Sequence, residues 1–295
     1  MPSRSAGDLE RLAARRETIS AATLLAPATI LVCAMMVAPL AILARYSLNR
    51  FDPTELMISA LTLQNYERFF TDPYYLGVLI VTLRVTVVVT VLCMALGVPM
   101  AWRLARMQSR WKSAYVVALI LPLFIGSVTR TAGWMILFAR GGMLDTAMRT
   151  LFGMQGLDLM NTETAVVAGI VSINLPFTIL TLQSVFEGID PRLEEAASSM
   201  GADPMRAFQR VILPLAMPGM VIAGTLCFIL SMNAFATPML LGGPRFQMMA
   251  PLLFWEFSNN NNWPFAGVLA FILMATTLGL TLLANVVVGR RYRPA

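Results

Sequence analysis

Six apolar stretches, at about 20–43, 75–101, 114–138, 164–186, 217–241 and 265–288, alternate with segments where charge, proline and glycine collect. Each is long enough to cross a hydrocarbon layer of about 30 Å, which takes about 20 helical residues. The pattern predicts an all-α polytopic membrane protein with six transmembrane helices. The first apolar run exceeds the roughly 7–15 residues of a signal-peptide core, so it is expected to remain as a membrane anchor. Prolines inside the stretches (Pro27, Pro39, Pro122, Pro176, Pro238) are tolerable where neighbouring helices satisfy the freed backbone groups. The expected layout is a tail over 1–18, one membrane domain over 19–289 and a tail over 290–295.

Composition agrees with this pattern and adds an orientation. The 295 residues are 57% hydrophobic and 13% charged. A soluble domain of this size has more surface than so few charges can cover, which excludes an ordinary soluble enzyme. Basic residues divide unevenly between the two sets of connections. Fourteen fall on one side: Arg4, Arg11, Arg15 and Arg16, then Arg103, Arg106, Arg110 and Lys112, then Arg192, Arg206 and Arg210, then Arg290, Arg291 and Arg293. The other side has six, namely Arg45, Arg50, Arg68, Arg140, Arg149 and Arg245. Positive charge stays inside, so both termini are expected in the cytoplasm. The net charge of +6 then reports topology, and no nucleic-acid partner is needed to explain it.

Several chemistries are missing from the chain. It has no histidine, and Lys112 is its only lysine. Cys33, Cys93 and Cys227 lie far apart without metal-ligand spacing and read as packing or lipid-facing residues. All sixteen carboxylates lie outside the six stretches or at their edges, which leaves no evident site for a coupling proton. No phosphate-binding G-x-x-x-x-G-K-[ST] loop is present. No catalytic or metal site emerges, and if the chain transports actively its energy comes from a partner. Arg84 and Arg130 are the two charges inside the stretches. An intramembrane arginine suggests function, but capping free carbonyls at a helix break or reaching outward to the headgroups would also explain it.

The connection over 187–216 is the least lipid-like. Asp190–Pro191 reads as an N-cap followed by proline at the first helical position, with Glu194 and Glu195 in the first turns, where the helix dipole favours acids. Gly201 offers a left-handed stop, and Asp203–Pro204 repeats the start signal for a second short helix expected to end near Pro214. The product is a helix–turn–helix elbow. Its apolar residues Leu193, Ala197, Met200 and Phe208 are expected to face outward, and an exposed apolar patch implies a partner.

These residues also carry a resemblance. Glu195-Ala196-Ala197, three residues, Gly201, nine residues and Val211-Ile212-Leu213-Pro214 resemble the EAA motif of permease subunits of binding-protein-dependent ABC importers. The one departure is Val211, where the family prefers isoleucine. Leu63-x-Asn65-Tyr66, Phe70-x-Asp72-Pro73, Gly97-Val98-Pro99, Leu121-Pro122 with Arg130, Trp134 and Gly142, Leu175-Pro176-Phe177, Leu240-Leu241-Gly242-Gly243 and Asn262-Trp263-Pro264 are similar to its spermidine/putrescine-type branch. That branch also takes opines, phosphonates and related small polar solutes.

The resemblance implies a type I importer (MetI-like) fold in a bacterial inner membrane and a non-enzymatic subunit without a cofactor of its own. It implies two cytoplasmic ATPase subunits holding ATP and Mg, a periplasmic solute-binding protein and a second permease chain, commonly a different one. It assigns ATPase coupling to Glu194, Glu195, Ala196, Ala197, Gly201 and Pro214, with Glu195 at the contact and Gly201 at the bend.

Polar or aromatic residues within the apolar stretches are the candidates for the solute pathway: Arg130, Trp134, Asn174, Ser231, Asn233 and Phe235. Asn233 to Pro238 is the most break-prone stretch inside a span, and unwound backbone commonly lines membrane binding sites. Hydrogen bonding between helices is the competing role for the asparagines and serines. With Arg84 and Arg130 inside and no carboxylate, electrostatics favour a zwitterion or anion over a dicationic polyamine, whereas aromatic contacts to cations would favour the polyamine. Two other classes compete: a self-contained secondary carrier, and a non-transporting membrane scaffold or sensor.

Overall fold

The computed structural model describes residues 6–153, 159–244 and 246–291. Arg4, Arg245 and Arg293, counted above for orientation, lie outside the described residues, as do both ends of the expected tails. The fold is all-helical. Helices α1 (Ala6–Ser47), α3 (Pro73–Arg106), α7 (Glu163–Glu187) and α12 (Trp263–Arg291) are long, and a further long helix runs over Pro204–Met232. Among the described residues, five helices are long and apolar enough to cross a membrane, and one bent pair completes six.

The third span is the bent pair, broken just past Pro122. Lys112–Phe124 and Ser127–Leu151 meet at 96°. Helix α4 (Lys112–Ile120) tightens into a 3₁₀ turn over Leu121–Phe124, and α5 (Ser127–Phe138) and α6 (Met143–Phe152) follow. Pro122 removes one donor from the helical ladder, and the chain leaves helical geometry at Ile125 and Gly126.

The fifth span is redrawn. It begins at Pro204 and does not stop near Pro214. Helix α9 (Pro204–Ala207) passes through a π turn, Phe208–Ile212, into α10 (Leu213–Met232). The wider turn precedes Pro214 and takes up the place where a regular ladder would meet the proline ring. The helix then ends at Met232, nine residues before the expected boundary of 241. The chain breaks at Asn233 and resumes as a π turn over Pro238–Gly242. Two further helices have no counterpart in the six-stretch pattern: α2 (Gln64–Thr71), before α3, and α11 (Met249–Ser258), before α12.

Helices α3, α7 and α10 form the centre. Val85, Val89 and Cys93 of α3 pack with Ala165, Val166 and Ile170 of α7 and with Cys227 of α10. Cys93 and Cys227 are neighbours in this core, and Cys33 is exposed. Toward the elbow, Ala101 and Leu104 meet Ile179, Leu182 and Phe186. At the opposite end, Phe69, Tyr75, Met249, Leu252 and Phe265 join α2, α3, α11 and α12.

Candidate functional site

The elbow is built as its punctuation dictates. The Asp190 carboxylate accepts the Arg192 amide at 2.9 Å and opens α8 (Arg192–Ser199). Gly201 turns the chain at φ +87°, and the Asp203 carboxylate accepts the Arg206 amide at 2.8 Å to start α9. On α8, Glu195 and Ala196 are exposed, with Leu193 42% and Met200 84% accessible on the same elbow. Among the described residues Glu195 has no ion-pair partner. Two residues expected on this surface are elsewhere. Ala197 is buried, and Phe208 packs on the Trp102 ring at 4.6 Å between centroids, because the π turn that follows α9 sits against the end of α3.

Glu194 points the other way from Glu195. Arg106, the last residue of α3, donates to the Glu194 carboxylate from Nε at 2.7 Å, and Trp102 donates to the same oxygen from Nε1 at 3.4 Å. Arg106 Nη1 also donates to the Phe186 and Ile189 carbonyls at 3.2 and 3.1 Å, at the end of α7. Nearby, Lys112 pairs with Glu187 at 2.8 Å. In the sequence Arg106 counted only as a topogenic charge, and Trp102, just past the second apolar stretch, carried no assigned role. Their i, i+4 spacing, which puts both on one helix face, is the signal that was available.

The six pathway candidates fall into three places. Arg130 and Trp134 lie on α5 beside the helix break. Arg130 donates to the Pro122 carbonyl and, at 2.9 Å, to the Ile125 carbonyl, so it caps the broken third span. Trp134 Nε1 donates to Ser172 Oγ on α7 at 2.9 Å. Asn174 and Ser231 link α7 to α10, Asn174 Nδ2 donating to Ser231 Oγ at 2.8 Å and Ser231 donating to the Cys227 carbonyl at 2.7 Å. Asn233 caps the Ile229 carbonyl at the end of α10, and Phe235 meets Phe254 of α11 edge-on at 5.0 Å. Asn233 borders a cavity of about 380 Å³ between α10, α11 and α12, where Leu253, Leu273, Thr277 and Thr281 also lie.

The electrostatics differ from those inferred from the sequence. Arg84 forms an ion pair with Glu163 in the first turn of α7, so a span-edge carboxylate neutralises it. Glu256 of α11 is 8% exposed, beneath the four-asparagine turn that leads into α12. Sequence reasoning placed it simply between spans. Leu252 and Met249, four and seven residues earlier on α11, are buried with it and show which face turns inward.

A multi-pass helical body with an exposed helix–turn–helix elbow at one end defines the transmembrane subunit of a binding-protein-dependent transporter. The comparisons with known proteins make the assignment specific. Residues 57–293 match the family described as binding-protein-dependent transport system inner membrane component, and the chain belongs to that family. It is similar to the spermidine/putrescine transport system permease protein PotB of Haemophilus influenzae, with 32% identity over 261 residues, covering 88% of each chain. The PotB of Escherichia coli is 32% identical over 233 residues, covering 79% of this chain and 84% of its own. Among solved structures, a bacterial alginate ABC transporter in complex with an alginate pentasaccharide-bound periplasmic protein superposes with a TM-score of 0.77. That match has 15% identity and covers 92% of this chain and 94% of that one. The protein is thus the multi-pass inner-membrane permease subunit of an ABC importer, a non-catalytic chain of a family that carries no cofactor.

Proposed function

We propose that this permease forms half of a translocation pathway for a small polyamine. In this reading a periplasmic protein delivers the solute, and two ATPase subunits grip the elbow of each permease chain at Glu195. The observation that carries the coupling reading is the exposed Glu195, without an ion-pair partner among the described residues, beside Ala196 on a short helix ending in the left-handed Gly201. A partner can reach a carboxylate flanked by alanine closely, and a fixed turn transmits its push. The elbow and both termini then face the cytoplasm, and the second permease is a different chain.

Polyamine is favoured over an acidic opine for two reasons. The two PotB relatives are permeases of spermidine/putrescine transport systems, and one of the two charges that argued for an anion is neutralised. Arg84 is paired with Glu163, and Arg130 is turned onto carbonyls. The test is ATP hydrolysis by the full complex, both permease chains, ATPase subunits and binding protein, in lipid nanodiscs. Putrescine or spermidine is expected to stimulate hydrolysis, and opines to leave it at the basal rate. Stimulation by opines alone would overturn the substrate assignment. Transport by the permease chains without ATPase subunits would overturn the coupling assignment.

A further inference from the structure

Both arms of the elbow are fastened to one face of α3, and that helix reaches the opposite end of the molecule. On the first arm, Glu194 of α8 is held by Arg106 Nε at 2.7 Å and by Trp102 Nε1. On the second arm, Phe208, just after α9, packs on the Trp102 ring at 4.6 Å. Arg106 also closes the end of α7 through the Phe186 and Ile189 carbonyls. One guanidinium therefore joins α3, α7 and α8, and the residue one turn earlier joins the other arm. The pair is partly shielded from water, with side-chain exposures of 18% for Arg106 and 23% for Glu194. Charge-assisted bonds in such a setting are short and directional, suited to holding a geometry.

From this clamp α3 runs along the molecule as a supported rod. A Cβ at Gly97 would lie 3.2 Å from Thr178 Cγ2, so α3 and α7 approach closely there, and Val85, Val89 and Cys93 are sealed in the core beyond it. At the far end, Thr82 Oγ1 accepts the Met249 backbone N–H at 2.9 Å and so holds the first turn of α11. Arg106 and Thr82 are separated by about 36 Å of helix at about 1.5 Å per residue. The covalent route from elbow to outer half is more compliant. It passes through the Phe208–Ile212 π turn and breaks at Asn233, whereas α3, although it contains Pro99, is one unbroken helix.

We propose that Arg106 is a positioning residue for energy coupling: it locks the elbow to α3, so that α3 carries elbow movement to α11 at the opposite end of the bundle. The proposal rests on the reading that the elbow receives the ATPase subunits. On this account the neighbouring acids differ, Glu195 meeting the partner and Glu194 fixing the elbow to its own chain.

The experiment uses the reconstituted full complex with binding protein and putrescine. It reads complex assembly, basal hydrolysis, solute-stimulated hydrolysis and the ATP-induced change in distance between spin labels on α11 and α7. Arg106→Ala is expected to assemble, to keep basal hydrolysis and to lose stimulation about tenfold, within the usual range of coupling between sites. The α11 label should then stop responding to ATP, a readout that general loosening of the fold would not abolish selectively. Arg106→Lys keeps the ion pair without the forked carbonyl bonds and should fall between. Glu194→Ala should lower stimulation to a similar extent, and the double alanine variant should be no worse than either single one.

Full stimulation and an unchanged label response in assembled Arg106→Ala would overturn the proposal, as would strictly additive losses. If Arg106→Ala does not assemble, Arg106→Lys and Glu194→Gln decide the same question. A wild-type complex with no solute-stimulated hydrolysis would count against the coupling reading itself, which separates the two failures.

Discussion

Replacing Gly201 with valine is expected to leave the membrane bundle folded and to cut solute-stimulated ATP hydrolysis about tenfold or more. The reason is backbone conformation. Gly201 sits at φ +87°, and a Cβ there would meet nothing within 4 Å, so crowding does not require glycine. A β-branched residue forced into this region costs of order 1–3 kcal/mol, and about 1.4 kcal/mol is a factor of ten in a population. The turn would relax toward ordinary geometry and re-aim α8 relative to α9, moving Glu195 and Ala196 away from the position a partner must meet. Gly201→Asn provides the control, because asparagine tolerates left-handed backbone. It should retain most of the stimulation. Equal loss in the valine and asparagine variants would place the effect in side-chain bulk. Glu195→Ala should lose coupling with no change in thermal stability, since the carboxylate is exposed and has no ion-pair partner among the described residues.

The elbow was legible in the sequence because its signals are local. Asp190, Gly201 and Asp203 each act on backbone within a few residues, and the structure shows the caps and the positive φ where those residues stand. Span positions were legible for the same reason, since twenty apolar residues in a row need no tertiary information. Long-range pairing was not legible. Arg84 finds Glu163 seventy-nine positions away, and Arg106 finds Glu194 eighty-eight positions away. The first partner cannot be chosen without knowing that α3 packs against α7, nor the second without knowing that α8 lies beside the end of α3. The breaks at Ile125–Gly126 and Asn233 were half visible. Pro122 and the polar run 233–238 marked them, but hydropathy averaging carried the spans across both. Helix α11 was missed because ten residues are too few to register as a span, although Met249, Leu252 and Glu256 recur at helical spacing.

Gly169→Ala is expected to destabilise the permease and abolish transport, although it adds one methyl group. A Cβ on Gly169 of α7 would lie 2.5 Å from Thr237 Cγ2 and 2.9 Å from Leu241 Cδ1, below any workable contact. Both neighbours lie at the π turn that restores order after the break at Asn233, and both are nearly or fully buried, so neither side chain can simply swing away. Overpacking of this kind costs about 1–3 kcal/mol. Within a membrane, small residues are what allow helix backbones to approach so closely. The displacement would not stay local. Thr237 Oγ1 lies 3.3 Å from Thr131 Oγ1 on α5, and the Leu241 carbonyl accepts the Asn161 amide at 2.9 Å. Pushing the turn off α7 would therefore pull on the bent third span and on the segment entering α7 together, around the break that holds Asn233 and Phe235. Gly133→Ala is the matched control. That glycine also lies within a helix, α5, but its added Cβ would meet nothing within 4 Å. Alanine is the better helix former by about 1 kcal/mol, so this variant should be as stable as wild type or more so. The measurement is the thermal unfolding midpoint of each detergent-solubilised variant, read beside putrescine uptake by the reconstituted complex. Midpoints for Gly169→Ala and Gly133→Ala that do not differ would show that the turn accommodates the methyl group and that its seat on α7 is not required.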